Sequence, residues 1–205
     1  MTYVLRQTAA PSVEPVSLAE AKAHVQQDQA VDDALITRLI VAARQYFETM
    51  TGRALIEQTW TATFAEWPSI YGVSEDDAEA PLSMVVPVAR AVSSVEIVKL
   101  PFISVEGVTA DGDAWTEFTT LKTTRGARLK LTGIAPAGEI VVTFKCGYGA
   151  TAATVPSDIS YAILMLVATF YEHRGVMPIT PTGFQIAAQR TPGFDAILHR
   201  YQVMS

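Results

Sequence analysis

Glu14-Pro-Val-Ser-Leu-Ala-Glu-Ala-Lys-Ala-His-Val25, followed by Asp33-Ala-Leu-Ile-Thr-Arg-Leu-Ile-Val-Ala-Ala-Arg-Gln-Tyr-Phe-Glu-Thr-Met-Thr-Gly52, is the stretch whose reading decides the fold. Ser17 is a good N-cap, and Glu20 three residues later completes a capping box that satisfies otherwise orphaned N–H groups. Leu18, Ala21 and Val25 then share one face of a short helix over 17–27. A second helix over 32–51 carries Leu35, Leu39, Ala43, Phe47 and Met50 at three- and four-residue spacing, which makes one apolar stripe. Gly52 is a natural stop, because glycine accepts the left-handed conformation that closes a helix. Neither helix carries a catalytic constellation, so the pair reads as a building block.

Outward from this pair the period of the sequence changes. Residues 1–16 read as extended, interrupted by Pro11 and Pro15. Thr59-Trp-Thr-Ala-Thr-Phe-Ala-Glu-Trp is rich in β-branched and aromatic residues and predicts a strand ending at Pro68. Residues 69–81 contain Glu75-Asp-Asp-Ala-Glu and read as a solvated acidic loop rather than a metal site. Strands are predicted over 82–88, 94–100, 104–110, 115–121, 127–132 and 139–146, with Asp111-Gly-Asp marking a tight turn. Leu129 and Leu131 should face a core and Arg128 and Lys130 water. Residues 139–146 are more continuously apolar, as in a central strand covered on both faces. Gly147-Tyr-Gly ends the sheet.

A third helix spans 156–174, with Pro156, Ser157 and Asp158 suited to its first turn and Gly175 to its exit. It is apolar nearly all round and must be buried on several sides. Residues 176–193 hold Pro178, Pro181 and Pro192 and read as extended, and 194–203 as a last short helix. About thirty residues after the third helix carry Met177, Ile179, Phe184, Ile186, Phe194, Ile197, Leu198 and Tyr201, with little to pack against in cis. A solvated linker would be more polar. Two readings stay open: the segment folds back on its own domain, or it docks on a partner.

Composition narrows the function class. The chain has 205 residues, 49% hydrophobic and 18% charged, an ordinary globular balance. Net charge −6 opposes a sequence-independent nucleic-acid binder, whose affinity comes from clustered Lys and Arg. Residues 56–155 hold 12 acidic against 7 basic side chains, whereas the tail is mildly basic. Cys146 is the single cysteine, so no intrachain disulfide forms and a reducing compartment fits. The N-terminus lacks a signal-peptide pattern, and the most apolar uncharged run, 159–171, is shorter than the roughly 18 residues that suggest a membrane span. Synthesis in the cytoplasm is the expectation.

Little chemistry is predicted. His24, His173 and His199 are far apart in sequence, and a zinc site would want thiolates or carboxylates at defined spacing. Glu172-His173 reads as a helix-end cap favoured by the dipole. Gly-x-Ser-x-Gly is absent, and Cys146 lies in an apolar strand, where a structural thiol is the better reading. Gly147-Tyr-Gly-Ala lacks the Lys-Ser/Thr of a phosphate loop. No enzyme, cofactor or metal is predicted. Two other classes remain: a monomeric β-rich module binding carbohydrate or protein through Trp60, Trp67 and Trp115, and a degenerate hydrolase using Ser157, Asp158 or His173.

The order of these elements resembles the bacteriophage head–tail connector (adaptor) family, which also occurs in gene transfer agents. Four segments carry the resemblance: Glu14-Pro-Val-Ser-Leu-Ala-Glu-Ala-Lys-Ala-His, the Thr51-Gly-Arg-Ala-Leu exit with Gln58-Thr-Trp after it, Tyr148-Gly-Ala before Val155-Pro, and the 163–172 helix ending in Phe170-Tyr-Glu. The resemblance implies a structural virion protein of the neck between head and tail. It would form a homo-oligomeric ring, expected to be a dodecamer, beneath the portal protein. The ring would extend the channel through which double-stranded DNA passes without specific binding, and would dock the next tail-side connector or stopper protein. An acidic chain fits such a conduit, since a basic lumen would hold DNA. The fold expected is α+β: the helical hairpin and long third helix packed together, an inserted antiparallel β-rich region over 57–147, and an extended C-terminal tail. Residues 1–175 would form the adaptor domain and 176–205 a partner-docking tail. In that scheme Met177, Ile179, Phe184, Ile186, Phe194, Ile197, Leu198 and Tyr201 meet the portal, and Leu35, Leu39, Ile163, Leu166 and Phe170 meet neighbouring subunits.

Overall fold

Ser17 caps the first helix as the sequence predicts. In the computed structural model, which describes residues 3–72, 88–91, 94–173 and 192–203, the Ser17 hydroxyl accepts from the Glu20 N–H at 3.2 Å, and the Ser17 N–H donates to the Glu20 carboxylate at 2.7 Å. The Ser17 hydroxyl and then its backbone N–H, both donating to Glu20, hold that carboxyl below its ordinary pKa. Helix α1 (Leu18–His24) buries Ala21, with Leu18 and Val25 half-buried against the same core. Helix α2 (Asp33–Thr51) ends at Gly52, whose φ of 72° lets its N–H donate to Glu48 O at 2.9 Å.

The buried face of α2 keeps Ala43 and Phe47 of the predicted stripe and shifts by one position in its first half. Ile36, Ile40, Ala43 and Phe47 are buried, while Leu35 and Leu39 are only half-buried. The two stripes share the same spacing, and the contacts of α2 with α1, α3 and α4 select the isoleucine line. Arg44 is also buried, at 5% exposure. Its Nε donates to Glu14 at 2.8 Å and its Nη1 to Glu48 at 2.8 Å. Burial opposes the guanidinium charge, but the hydrogen bonds and charges of the two carboxylates outweigh it and raise the Arg44 pKa. Glu48 also accepts from the Leu55 N–H and from Gln58 Nε2, so one carboxylate ties the helix to the chain leaving it.

The chain divides into two units: Met1–Ala9 with Thr59–Lys145, and Ala10–Gln58 with Cys146–Ser205. The second is helical. Its core joins Val16, Ala21, Ile36, Ile40, Phe47 and Leu55 to Ile159, Ile163 and Val167 of α3 (Ser157–Glu172), and to Phe194 and Leu198 of α4 (Pro192–Tyr201). Helix α3 is covered on several sides as expected, and Tyr161 is its exposed large side chain. Tyr171 donates to Asp32 at 2.6 Å, linking the end of α3 to the start of α2.

Gly147-Tyr-Gly belongs to this unit and is a backbone crossing. Tyr148 N–H donates to Leu55 O at 3.1 Å and Glu57 N–H to Gly149 O at 2.8 Å. A Cβ on Gly147 would lie 2.5 Å from the backbone of Ile56, and its φ is 140°, so only glycine fits.

The first unit is the β-rich one. Strands β1 (Val4–Ala9), β2 (Gln58–Phe64), β6 (Phe102–Ala110), β7 (Asp113–Ala114) and β10 (Ile140–Cys146) form a five-stranded sheet in the order β1-β2-β10-β6-β7. Strand β3 (Ser69–Gly72) pairs with β4 (Val88–Ala91), and β5 (Ser94–Val98), β8 (Phe118–Thr123) and β9 (Gly126–Leu131) form a third sheet in the order β5-β9-β8. The predicted strand over 82–88 and the acidic loop lie mostly outside the described residues. Strand β10 is central, but it alternates: Ile140, Val142, Phe144 and Cys146 are buried and the residues between them half-buried, so it is not sealed equally on both faces. Asp111 and Gly112, at φ of 52° and 91°, make the tight turn between β6 and β7. The fold is α+β, and the short last helix expected over 194–203 forms over 192–201, where it packs on the helical core instead of belonging to an extended tail.

Candidate functional site

The C-terminal helix decides which apolar faces of the helical unit are covered. In α4, Phe194 and Leu198 are buried in the core of the helical unit, and Ile197 and Tyr201 pack half-buried against it. Polar contacts complete the attachment. Arg53 Nε donates to Tyr201 O at 2.6 Å, and its guanidinium lies 5.7 Å from the Tyr201 ring centre. The Tyr201 hydroxyl donates to both Asp158 oxygens at 3.0 Å, Arg200 reaches Asp158 at 3.4 Å, and Val203 N–H donates to Thr51 O at 3.0 Å. Phe194 and Leu198 therefore do have partners in cis. Their apolar side chains are satisfied by α2 and α3, which removes them from a free docking surface. Met177, Ile179, Phe184 and Ile186 lie outside the described residues.

Burial raises the Tyr201 pKa, and the hydrogen bond to Asp158 and the charge of that carboxylate add to it. Burial also raises Tyr148, against the opposing pull of Arg53. A phenol whose folded pKa is raised contributes stability that is fully present below its ordinary value of 10.0 and is lost as pH rises through the folded value. Melting temperature measured from about pH 8 to about pH 11 is expected to fall less steeply at the alkaline end in Tyr201→Phe than in the parent chain. Parallel curves would show that this phenol does not link α4 to pH.

The residues predicted for subunit contact divide. Ile163 is fully buried and Leu166 nearly so, inside the unit's own core, so neither is available to a neighbour. Much of the apolar surface of α3 packs on α1, α2 and α4 in the same chain, with Leu164, Met165 and Phe170 half-buried. Leu35, Leu39 and Phe170 are half-buried, Phe170 meeting Tyr46 edge-on at 6.3 Å. The exposed apolar residues that pattern reading missed include Val4 (67%), Val31 (78%) and Ile134 (84%). Val31 lies in the turn before α2 and Ile134 in a loop, where no periodicity marks them.

The catalytic alternative does not assemble. Asp158 lies in the first turn of α3 and His173 just past its last residue, about 22 Å apart along the helix. Asp158 is engaged by Tyr201, and His173 Nδ1 sits 3.0 Å from Thr169 O. Among the described residues no group of three or more His, Cys, Asp or Glu is placed to hold a metal ion. The tryptophans do not share one stacking surface either. Trp67 is buried edge-on against Trp115 at 5.6 Å, Trp115 stacks on Phe118 at 5.3 Å, and the Trp60 face is covered by Lys99 Nζ at 4.3 Å. No described helix is long and apolar enough to cross a membrane.

No protein-family model matches this chain, and no curated protein does. Solved structures do. A chain in the neck of an empty gene transfer agent particle, computed with C6 symmetry, superposes with a TM-score of 0.67 at 17% identity, covering 98% of this chain and 96% of that one. A chain of the virion of the native particle gives 0.66 at 18% identity, with the same coverage. A chain in the neck of the native particle, computed with C12 symmetry, gives 0.65 at 17% identity, again with 98% and 96% covered. Over nearly its whole length, this chain has the fold of a protein found in the neck of a gene transfer agent particle.

Proposed function

We propose that the chain is a structural neck protein, a head-to-tail adaptor that forms a twelve-fold ring beneath the portal, extends the DNA channel and docks the next tail component. The observation that carries this reading is the fold shared end to end with chains of gene transfer agent necks, one of them computed with C12 symmetry. The net charge of −6 suits a conduit that must release DNA. Within this reading, Met177, Ile179, Phe184 and Ile186 supply the portal-facing segment, while α4 keeps the helical unit closed. Particles produced without this chain are expected to be heads that lack tails. Tails attached at the normal frequency would overturn the role.

A further inference from the structure

We infer that the two edges of the five-stranded sheet are complementary halves of one contact, with β1 of one copy adding as a strand to the open edge of β6 in the next. This rests on the ring reading above. Strand β6 is paired along one side by β10, but on its other side β7 covers only Thr109 and Ala110. Trp115 N–H still reaches Val108 O at 2.9 Å, and then the chain peels away to begin β8. Because N–H and C=O directions alternate along a strand, the backbone groups of Glu106, Ser104 and Phe102 point the same way as those of Val108. Among the described residues no strand takes them up. An open groove of about 570 Å³ runs there. Every residue from Phe102 to Val108 lines it, as happens along an edge; a sheet face would contribute alternate residues only. Trp115, Phe118 and Lys122 form its far side. An unpaired edge beside apolar side chains is a seat for an added strand.

The occupant is a second copy, because the other edge of the same sheet matches the seat. Strand β1 pairs with β2 alone among the described residues, and all its residues but Leu5 are exposed. Its six residues equal the length of the open stretch 102–107. Arg6 is the one charged residue of β1 and Glu106 the one charged residue of β6, and both are exposed. Their opposite signs favour a register that sets them side by side. The two edges are different surfaces, so the contact is head-to-tail, the type that closes into a ring when the rotation allows. Repeated around the ring, it joins the sheets of all copies.

Hydrogen exchange comparing dilute chain with the assembled ring, obtained by concentration or from particles, tests this without mutation. Slowed exchange is expected in both 4–9 and 102–107. Protection of 102–107 alone would mean that another protein's strand fills the groove, and protection of neither segment would remove strand pairing altogether; both overturn the inference. Charge reversal gives a second readout. Arg6→Glu and Glu106→Arg are each expected to raise the assembly concentration about tenfold, with most of the loss recovered when they are combined. A ring that forms alike in all variants overturns the strand contact and leaves the adaptor reading standing. A chain that yields no ring by either route overturns both.

Discussion

Arg44→Met is expected to destabilise the protein by about 3 kcal/mol, a fall in melting temperature of roughly 6–12 °C for a chain of this length. Methionine matches much of the volume of the arginine stem, so the loss isolates the charge. Arg44 is 5% exposed and bridges Glu14 and Glu48, and the Glu48 side chain is itself only 12% exposed. Removing the guanidinium leaves two carboxylates facing each other's field with reduced access to water, which costs more than the ion pair contributes when intact. Adding Glu48→Gln should recover part of the loss, because the amide oxygen can still accept from Leu55 N–H while the stranded charge disappears. Thermal unfolding of the two variants beside the parent checks both steps. A single variant within about 0.5 kcal/mol of the parent would show that water reaches Arg44 in solution.

Phe194→Ala carries the second large effect, about 3–5 kcal/mol if the whole unit responds. The side chain is 4% exposed in a core that also holds Leu198, Ile36 and Ile163. Its loss leaves a cavity in which α4 has fewer apolar contacts to offset the ordering of a ten-residue helix. The response has a spatial signature. Limited proteolysis should cut first within 192–203, before the rest of the helical unit opens. If α4 instead left the core to grip a partner, truncating Phe194 would leave the isolated chain unchanged and weaken only the complex. An unaltered melting curve would therefore reassign the helix from a structural closure to a docking arm.

The parts of this fold that sequence discloses are those decided within a few residues. Ser17 and Glu20 satisfy each other's backbone groups locally, Gly52 stops α2 by its own conformational freedom, and Asp111-Gly112 bends the chain without help. The parts hidden from sequence are decided by elements far away. Leu35/Leu39 and Ile36/Ile40 have identical periodicity, and only the packing of α2 among three other helices separates them. Ile163 and Leu166 count as surplus apolar surface in sequence, but the count does not say whether the cover is a neighbouring subunit or α4. Arg44 and Glu48 stand at ion-pair spacing on one helix, yet Glu14 joins them from thirty residues away. Gly147 follows the end of β10, as the sequence suggests. The requirement for glycine at 147 comes from the backbone of Ile56, which no local pattern announces.

The order in which the chain leaves the ribosome follows from how its two units are threaded. Every strand of the β unit has been synthesised by Cys146, whereas the helical core draws on residues from Val16 to Leu198. Translation, which runs from the N-terminus, therefore completes the β unit first and leaves the helical core open until α4 emerges. A truncated product ending before Pro192 lacks Phe194 and Leu198 and exposes the apolar faces they cover. Such a fragment is marked for chaperones or proteases by its own surface. Docking of α4 hides that mark, so closure of the core also reports that synthesis has passed Leu198.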